Sequence, residues 1–403
     1  MKIPSFLDRD NYLQNPIMRR FLKANKLEMV NTRADYIAAI ERFSDESEEN
    51  EEIVRNWLLK IVKEGSKELC YRKIRGIGER HKDPLAVDGQ IREAFPDCPR
   101  KNILTYKNTD KMQMIEYHII TNQNGEAEKL EFTFSKLYLC GEEGKEGETT
   151  IYPIFVEVYL QEGFIVSRAK AKSTLYPYDE SNPMTYGATR INTMTVAVSV
   201  LDQIVKALEF VVKLDSRKVV NENSKMLYRL YDKYSFTPAD VEARINTQKE
   251  LIDNFVNQLF ANLSLDICNK EKALMDGRIL VEKFISINGD NEAVFKEDRD
   301  AYLIKVCSDD ETELTSINTK SEKSVPLQCT EAFFDSKKSV IKGQQCKKLN
   351  MVFKRNDETY FTGVIRQLEV QFGTKKNYGY VKTIQYAEEA DIQNVLQAIF
   401  SNY

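Results

Sequence analysis

The sequence predicts an α+β fold in which an antiparallel β meander precedes a helical region. Between residues 112 and 175, apolar and polar residues alternate with period two, and turn signals such as Asn124-Gly125 and Glu162-Gly163 separate the runs. Between residues 187 and 287, apolar residues instead recur at helical spacing. Strands followed by helices in this way are typical of α+β proteins. The four strand-like runs are 112–121, 129–140, 150–160 and 164–175.

Changes of pattern divide the 403 residues, which exceed the size of a typical single domain, into four predicted segments. The acidic run from Asp45 to Glu52 separates a small N-terminal helical module, which is expected to fold by itself, from the rest of the chain. In the last segment we expect a strand at 302–306, a hairpin formed by 364–372 and 378–386, and a closing helix at 391–400. The segments are the helical module (1–45), a helix plus a basic loop (46–110), the meander with a helical layer (111–290) and an α+β domain (291–403).

Charge and composition exclude several classes of protein. With 58 Lys and Arg against 62 Asp and Glu, the net charge is −4, so nucleic-acid binding requires local basic patches rather than a globally basic chain. A hydrophobic content of 42% excludes wholesale disorder. No apolar run is long enough to span a bilayer, no signal-peptide core is visible, and the seven cysteines form no C-x-x-C pair. We therefore expect a reduced, cytoplasmic protein without a membrane partner.

Two short helices are expected within residues 15–43. Their apolar and basic residues follow the spacing of a small DNA-binding module, at Leu22, Leu27, Arg33, Tyr36 and Ile40. This stretch resembles the SAP, or helix-extension-helix, family, although Asn31 stands where the family usually has a turn glycine; Asn tolerates the left-handed conformation better than most residues. The resemblance implies that this module binds DNA.

The same stretch carries a local charge of +3, and cations near a helix N-terminus suit phosphate contact. The alternative is a helical hairpin that only caps the next domain. The candidate contacts are Arg19, Arg20, Lys23, Lys26 and Arg33.

A second basic patch lies between residues 67 and 82, which read as loop. Arg72, Lys73 and Arg75 precede Gly76 and Gly78, which would let a phosphate approach the backbone, although a lone G-x-G is a weak signal. The alternative is an exposed loop with no ligand.

A third patch is predicted on one face of the meander. Arg168, Lys170 and Lys172 alternate along a strand, with aromatic residues beside them, as in surfaces that follow a phosphate backbone. Glu157 is expected to pair with Arg168 across the strands, and the opposite, apolar face is expected to pack on helices. An ordinary solvated sheet face is the alternative.

No catalytic residue, metal site or cofactor is predicted. With only His81 and His118, zinc sites built on histidine clusters are excluded, and no G-x-S-x-G nucleophile motif is present. His118 is expected to be structural, and His81 lacks a carboxylate to orient it except Glu79.

The predicted function is DNA binding through these basic patches. The Lys-, Asn- and Glu-rich composition suits a bacterial or mobile-element system, with phage defence as the expected setting. The helical region 187–287 is predicted either to cover the meander or to bind a protein partner or a second copy. Two alternatives stay open: a metal-dependent nuclease with an unrecognised carboxylate site, and a protein-interaction scaffold.

Overall fold

The computed structural model confirms the predicted α+β class. It describes residues 1–403 except 10, 142–146, 173–174, 182–188, 214, 264–268, 289–292, 298, 311–314, 323–324 and 356–366. The chain forms two compact units. The first contains residues 1–219, 355–366 and 375–400, and the second contains 220–354, 367–374 and 401–403.

The α-helices account for most of the N-terminal part and the middle of the chain. They are α1 (Ser5–Arg9), α2 (Asn15–Ala24), α3 (Arg33–Asp45), α4 (Glu48–Lys63), α5 (Glu79–Lys82), α6 (Pro84–Ala94), α7 (Thr193–Ala207), α8 (Ser216–Tyr234), α9 (Ala239–Thr247), α10 (Lys249–Leu263), α11 (Lys270–Ile287), α12 (Val294–Glu297), α13 (Glu331–Gly343) and α14 (Glu389–Phe400). None of the helices within the described residues is both long enough and apolar enough to cross a membrane.

The β-strands include the four that the sequence predicts between residues 112 and 175. The strands are β1 (Lys67–Arg75), β2 (Gln113–Thr121), β3 (Ala127–Cys140), β4 (Thr149–Tyr159), β5 (Phe164–Lys170), β6 (Leu175–Pro177), β7 (Val211–Val212), β8 (Ala301–Asp310), β9 (Thr315–Lys320), β10 (Lys348–Phe353), β11 (Leu368–Thr374) and β12 (Gly379–Thr383).

The first unit is built on an antiparallel sheet in the order β2-β3-β4-β5-β1-β12. The predicted meander is therefore present, with neighbouring strands paired in chain order. Its apolar face carries Ile154, Val156 and Ile165, which share a buried cluster with Leu201 and Ile204 of α7. The predicted packing of this face on a helix is confirmed, and α7 is the helix that covers it.

The basic loop predicted around residues 67–82 is wrong, because β1 occupies most of it. Leu69, Tyr71 and Ile74 are buried, and β1 pairs with β5 on one edge and with β12 on the other. Five of its nine residues are charged, which hides the apolar alternation on which strand prediction depends.

The N-terminal helices lie on the core of the first unit. Phe21 and Leu22 of α2 share one buried cluster with Val54 and Leu58 of α4 and with Phe155 of β4. Residues 1–45 therefore share a hydrophobic cluster with α4 and with meander residues such as Phe155, and this cluster is separate from the one that α7 covers. The two compact units group the chain differently from the four predicted segments.

The second unit combines a smaller antiparallel sheet with helices. Its strands follow the order β11-β10-β8-β9, and α13 packs on β8 and β9. Helices α9, α10 and α11 contact one another and carry a separate buried cluster around Val241, Ile245 and Phe295. The first three residues of the predicted strand 364–372 lie outside the described residues, and the closing helix is present as α14.

Candidate functional site

The helical hairpin of α2 and α3 agrees with the two helices predicted between residues 15 and 43. Leu22, Tyr36 and Ile40 are buried, and the Thr32 side chain caps α3 by accepting a hydrogen bond from the Asp35 amide. In the connection between α2 and α3, Lys26 adopts the left-handed conformation, with a φ of 56°.

Two of the five candidate cations on this hairpin form hydrogen bonds or ion pairs with other parts of the first unit. Arg33 donates from Nε to Asp8 at 2.7 Å and from its terminal nitrogen to the Leu13 carbonyl oxygen at 2.7 Å. Arg20 forms an ion pair with Glu388, next to α14. These guanidinium groups are engaged within the first unit.

The other three cations are exposed. Arg19 and Lys23 are four residues apart, which places them on one side of α2, and Lys26 follows in the connection just after the C-terminal end of the helix. The Nε of Arg19 donates to the Tyr36 hydroxyl at 3.2 Å, which orients that side chain. Within the described residues, none of the three forms an ion pair.

The candidate cations of β1 fall into two groups. Arg72 is buried, donates to the Asn377 carbonyl oxygen at 2.8 Å and pairs with Asp202. Lys73 donates to the Glu162 carbonyl oxygen at 2.6 Å and lies 4.3 Å from the centre of the Phe164 ring. Arg75, at the end of the strand, is exposed.

Arg168 is buried rather than presented on an open sheet face. It is 1% exposed, and its guanidinium donates to Glu157 at 2.7 Å and to Glu389 of α14 at 2.5 Å. The predicted pairing with Glu157 is present, but diagonally, since Arg168 stands opposite Phe155. Helix α14 covers this face. Its Glu389 is 221 positions from Arg168 in the chain, so sequence patterns could not predict this contact.

The two lysines after Arg168 do not continue an exposed row. The Nζ of Lys170 lies 4.2 Å from the centre of the Tyr12 ring, and the buried Lys67 approaches the same ring to 5.2 Å. Lys172 is half-buried beyond the end of β5. The exposed basic face predicted on β5 is therefore replaced by a buried arginine followed by partly covered lysines.

A cleft of about 460 Å³ adjoins Arg168, and of the charged residues that line it only Glu157 was expected from the sequence to take part in a contact. Lys129 donates to Glu131 at 2.7 Å and to Glu157 at 2.8 Å, and Lys63 donates to Glu131 at 2.8 Å. The pairing of β3 with β4 could have pointed to these cations, because it places Glu131 and Glu157 directly opposite each other. Like charges in such a pair are unfavourable unless a cation lies between them.

The charges of the cleft shift the pKa values of its carboxyl groups. Burial alone would raise the pKa of Glu131, but the ammonium groups of Lys63 and Lys129 outweigh it and lower the pKa to about 2. The pKa of Glu389 is likewise lowered to about 2, because the charge of Arg168 and its hydrogen bonds outweigh burial. Both groups stay ionised at neutral pH. Since these charges are already paired with one another, the cluster holds α4 and α14 against the sheet.

The two histidines have different surroundings. His81 is buried: its Nδ1 accepts a hydrogen bond from the Gly78 amide at 3.0 Å, and its Nε2 donates to the Leu208 carbonyl oxygen at 2.9 Å. That arrangement requires the neutral ring. His118 is more than half exposed, and its hydrogen bond to Glu116 raises its pKa.

Within the described residues, no group of three or more His, Cys, Asp or Glu side chains is placed to hold a metal ion. No protein-family model and no curated protein matches this sequence.

Proposed function

We propose that this chain binds nucleic acid, with DNA as the expected form, through Arg19, Lys23 and Lys26. One observation carries the proposal: three exposed cations lie in a row on α2 and its C-terminal end, without ion pairs among the described residues. Surface cations with no carboxylate to neutralise them are the groups that replace counterions along a phosphate backbone.

The length of this row suits a short contact. From Arg19 to Lys23 the helix rises about 6 Å, Lys26 extends the row beyond the helix end, and one DNA strand carries a phosphate about every 3.4 Å of helix axis. The row can therefore contact up to about three phosphates. Contacts of this kind position a protein on nucleic acid without reading its sequence, so we expect little sequence preference.

The proposed interface is smaller than the sequence-predicted one. Five of the predicted cations bond to other groups of the protein and are left out of the proposed interface, whereas Arg75, which is exposed, stays a predicted additional contact. The setting of a bacterial or mobile-element system, such as phage defence, also stays a prediction. The engaged candidates are Arg20, Arg33, Arg72, Lys73 and Arg168.

The test is the salt dependence of binding to a fluorescent 20-base-pair duplex, compared between the parent and the triple variant Arg19→Gln, Lys23→Gln, Lys26→Gln. We expect the slope of log K against log salt to flatten by roughly two to three units, because each lost phosphate contact removes about 0.9. Single-stranded DNA and RNA of the same length determine which nucleic acid is preferred.

A second triple variant separates a local contact from a general charge effect. Lys233→Gln, Lys249→Gln, Lys272→Gln removes the same number of charges from exposed positions of the second unit. This variant should keep the parent's slope. A parent that does not bind at 50 mM salt, or equal slopes for the parent and the α2 variant, would contradict the proposal.

A further inference from the structure

Helices α10 and α11 of the second unit form a closely packed pair. Ile252 and Val256 are buried, and a Cβ built on Gly277 would lie only 2.8 Å from Cγ2 of Ile252. The two helices therefore approach each other at Gly277, and their contact fixes which side chains of α10 point inward.

Six other apolar side chains of this pair form an exposed surface. Along α10 they recur every four residues, which places them on one ridge of the helix, and on α11 two more lie one turn apart. Each is between 38% and 66% exposed. At roughly 200 Å² for a fully exposed side chain, they amount to about 600 Å² of apolar surface, the upper end for a monomeric protein. They are Leu251, Phe255, Leu259, Leu263, Leu280 and Phe284.

The charge pattern indicates what covers this surface. From Asn254 to Leu263, α10 has no charged residue, so it offers nothing with which a basic or acidic partner could pair. The ridge is also symmetric about Asn257: Phe255 and Leu259 lie two positions from it, and Leu251 and Leu263 lie six positions from it. A twofold axis near Asn257 would thus match the ridge with itself.

We infer that α10 docks antiparallel on α10 of a second copy of this chain. In this arrangement Phe255 packs against Leu259 of the second copy, and Leu251 against its Leu263. Ridges of residues four apart pack at a crossing angle of about −50°, which places Phe255 and Leu259 at the centre of the contact. When Leu280 and Phe284 of α11 are covered together with the α10 ridge and both copies are counted, about 1,200 Å² is buried, the lower limit for a specific stable interface. This inference does not depend on nucleic-acid binding.

The experiment measures the mass of the full chain by sedimentation velocity from about 1 to 100 μM. We expect the parent to be dimeric within this range. Phe255→Glu and Leu259→Lys, each alone, should be monomeric, because each places two charges against apolar partners in the symmetric dimer. An equimolar mixture of the two variants should regain dimer, since the carboxylate introduced in one copy then meets the ammonium introduced in the other, while the second contact stays apolar.

The matched control is Leu85→Glu, which charges an exposed leucine of the first unit and should leave the dimer intact. Far-ultraviolet circular dichroism and melting confirm that each variant folds, as expected for exposed positions; should Phe255→Glu not fold, the matched pair Leu251→Lys and Leu263→Glu replaces the pair Phe255→Glu and Leu259→Lys. A parent that is monomeric at 100 μM, or variants that dimerise like the parent, would overturn the inference. A mixture that stays monomeric would overturn the antiparallel register.

Discussion

At the scale of single residues, the first unit contains a cluster of buried and half-buried charges that alternate in sign. Glu131 and Glu157 face each other on β3 and β4, Lys129 bridges them, and Arg168 bonds to Glu157 from the other side. Taking an ion out of water costs several kcal/mol, so each of these groups depends on its neighbours. The cluster therefore ties the stability of the unit to the ionisation of its carboxyl groups.

We predict that the first unit loses stability as the pH falls from about 5 to about 2. The folded-state pKa values of Glu131 and Glu389 are both lowered to about 2, below the unfolded value of 4.5. Their contribution is therefore fully present above the unfolded pKa and is lost as the pH falls through the folded pKa. Because Glu389 is partly exposed, we expect a combined loss on the order of 3 kcal/mol, measured by urea unfolding at a series of pH values.

The variant Lys63→Met identifies the origin of this pH dependence. Removing one of the two ammonium groups beside Glu131 should bring its pKa back toward 4.5 and flatten the acid limb of the stability curve. Lys23→Met, at an exposed position, is the control and should follow the parent. If the Lys63 variant retains the parent's full acid dependence, the cluster is not its source.

At the scale of secondary-structure elements, β1 is an interior strand of the sheet that sequence patterns did not reveal. It lies between β5 and β12, and the β12 side requires a glycine: a Cβ on Gly379 would overlap the ring of Tyr71. Tyr71 is 1% exposed, so its ring is enclosed by the protein. The close approach of these two residues sets the β1–β12 pairing.

We predict that Gly379→Ala destabilises the first unit by roughly 1–3 kcal/mol, the usual cost of overpacking a filled site. Chemical unfolding followed by circular dichroism measures the change. Gly89→Ala is the matched control, because Gly89 lies in α6 with no atom within 4 Å of its built Cβ. That variant should be stabilised by about 0.5–1 kcal/mol. Equal effects of the two substitutions would contradict the steric argument.

Elements whose contacts are local in the chain were predictable from the sequence, and elements that depend on distant contacts were not. The meander strands and α14 were predictable, because their alternation, turns and helical period are local. The strand β1 was not, since its charged residues find partners such as Asp202 and Lys382 far along the chain. The Arg168–Glu157 pair was predictable from adjacent strands, whereas the burial of Arg168 by Glu389 was not.

At the scale of the whole molecule, the N-terminal hairpin is part of the core of the first unit. The ring of Phe21 lies 4.4 Å from that of Trp57 in α4, and both α2 and α4 contribute to the cluster that contains Phe155 of the meander. A module expected to fold by itself would instead keep a separate core. The proposed nucleic-acid contacts on α2 are therefore carried by a helix that the unit needs for its own stability.

We predict that deleting residues 1–45 abolishes the cooperative melting of the first unit, because the buried faces of α4 and of the meander would be exposed to water. Phe21→Ala tests the same point in the intact chain. It should lower the free energy of unfolding of the first unit by about 3–5 kcal/mol, as is usual for a buried phenylalanine. Differential scanning calorimetry distinguishes a single melting transition of the whole first unit from a separate transition of residues 1–45. If Phe21→Ala shifts only a small separate transition while the melt of the remaining unit is unchanged, residues 1–45 fold by themselves, and the shared core does not couple them to the sheet.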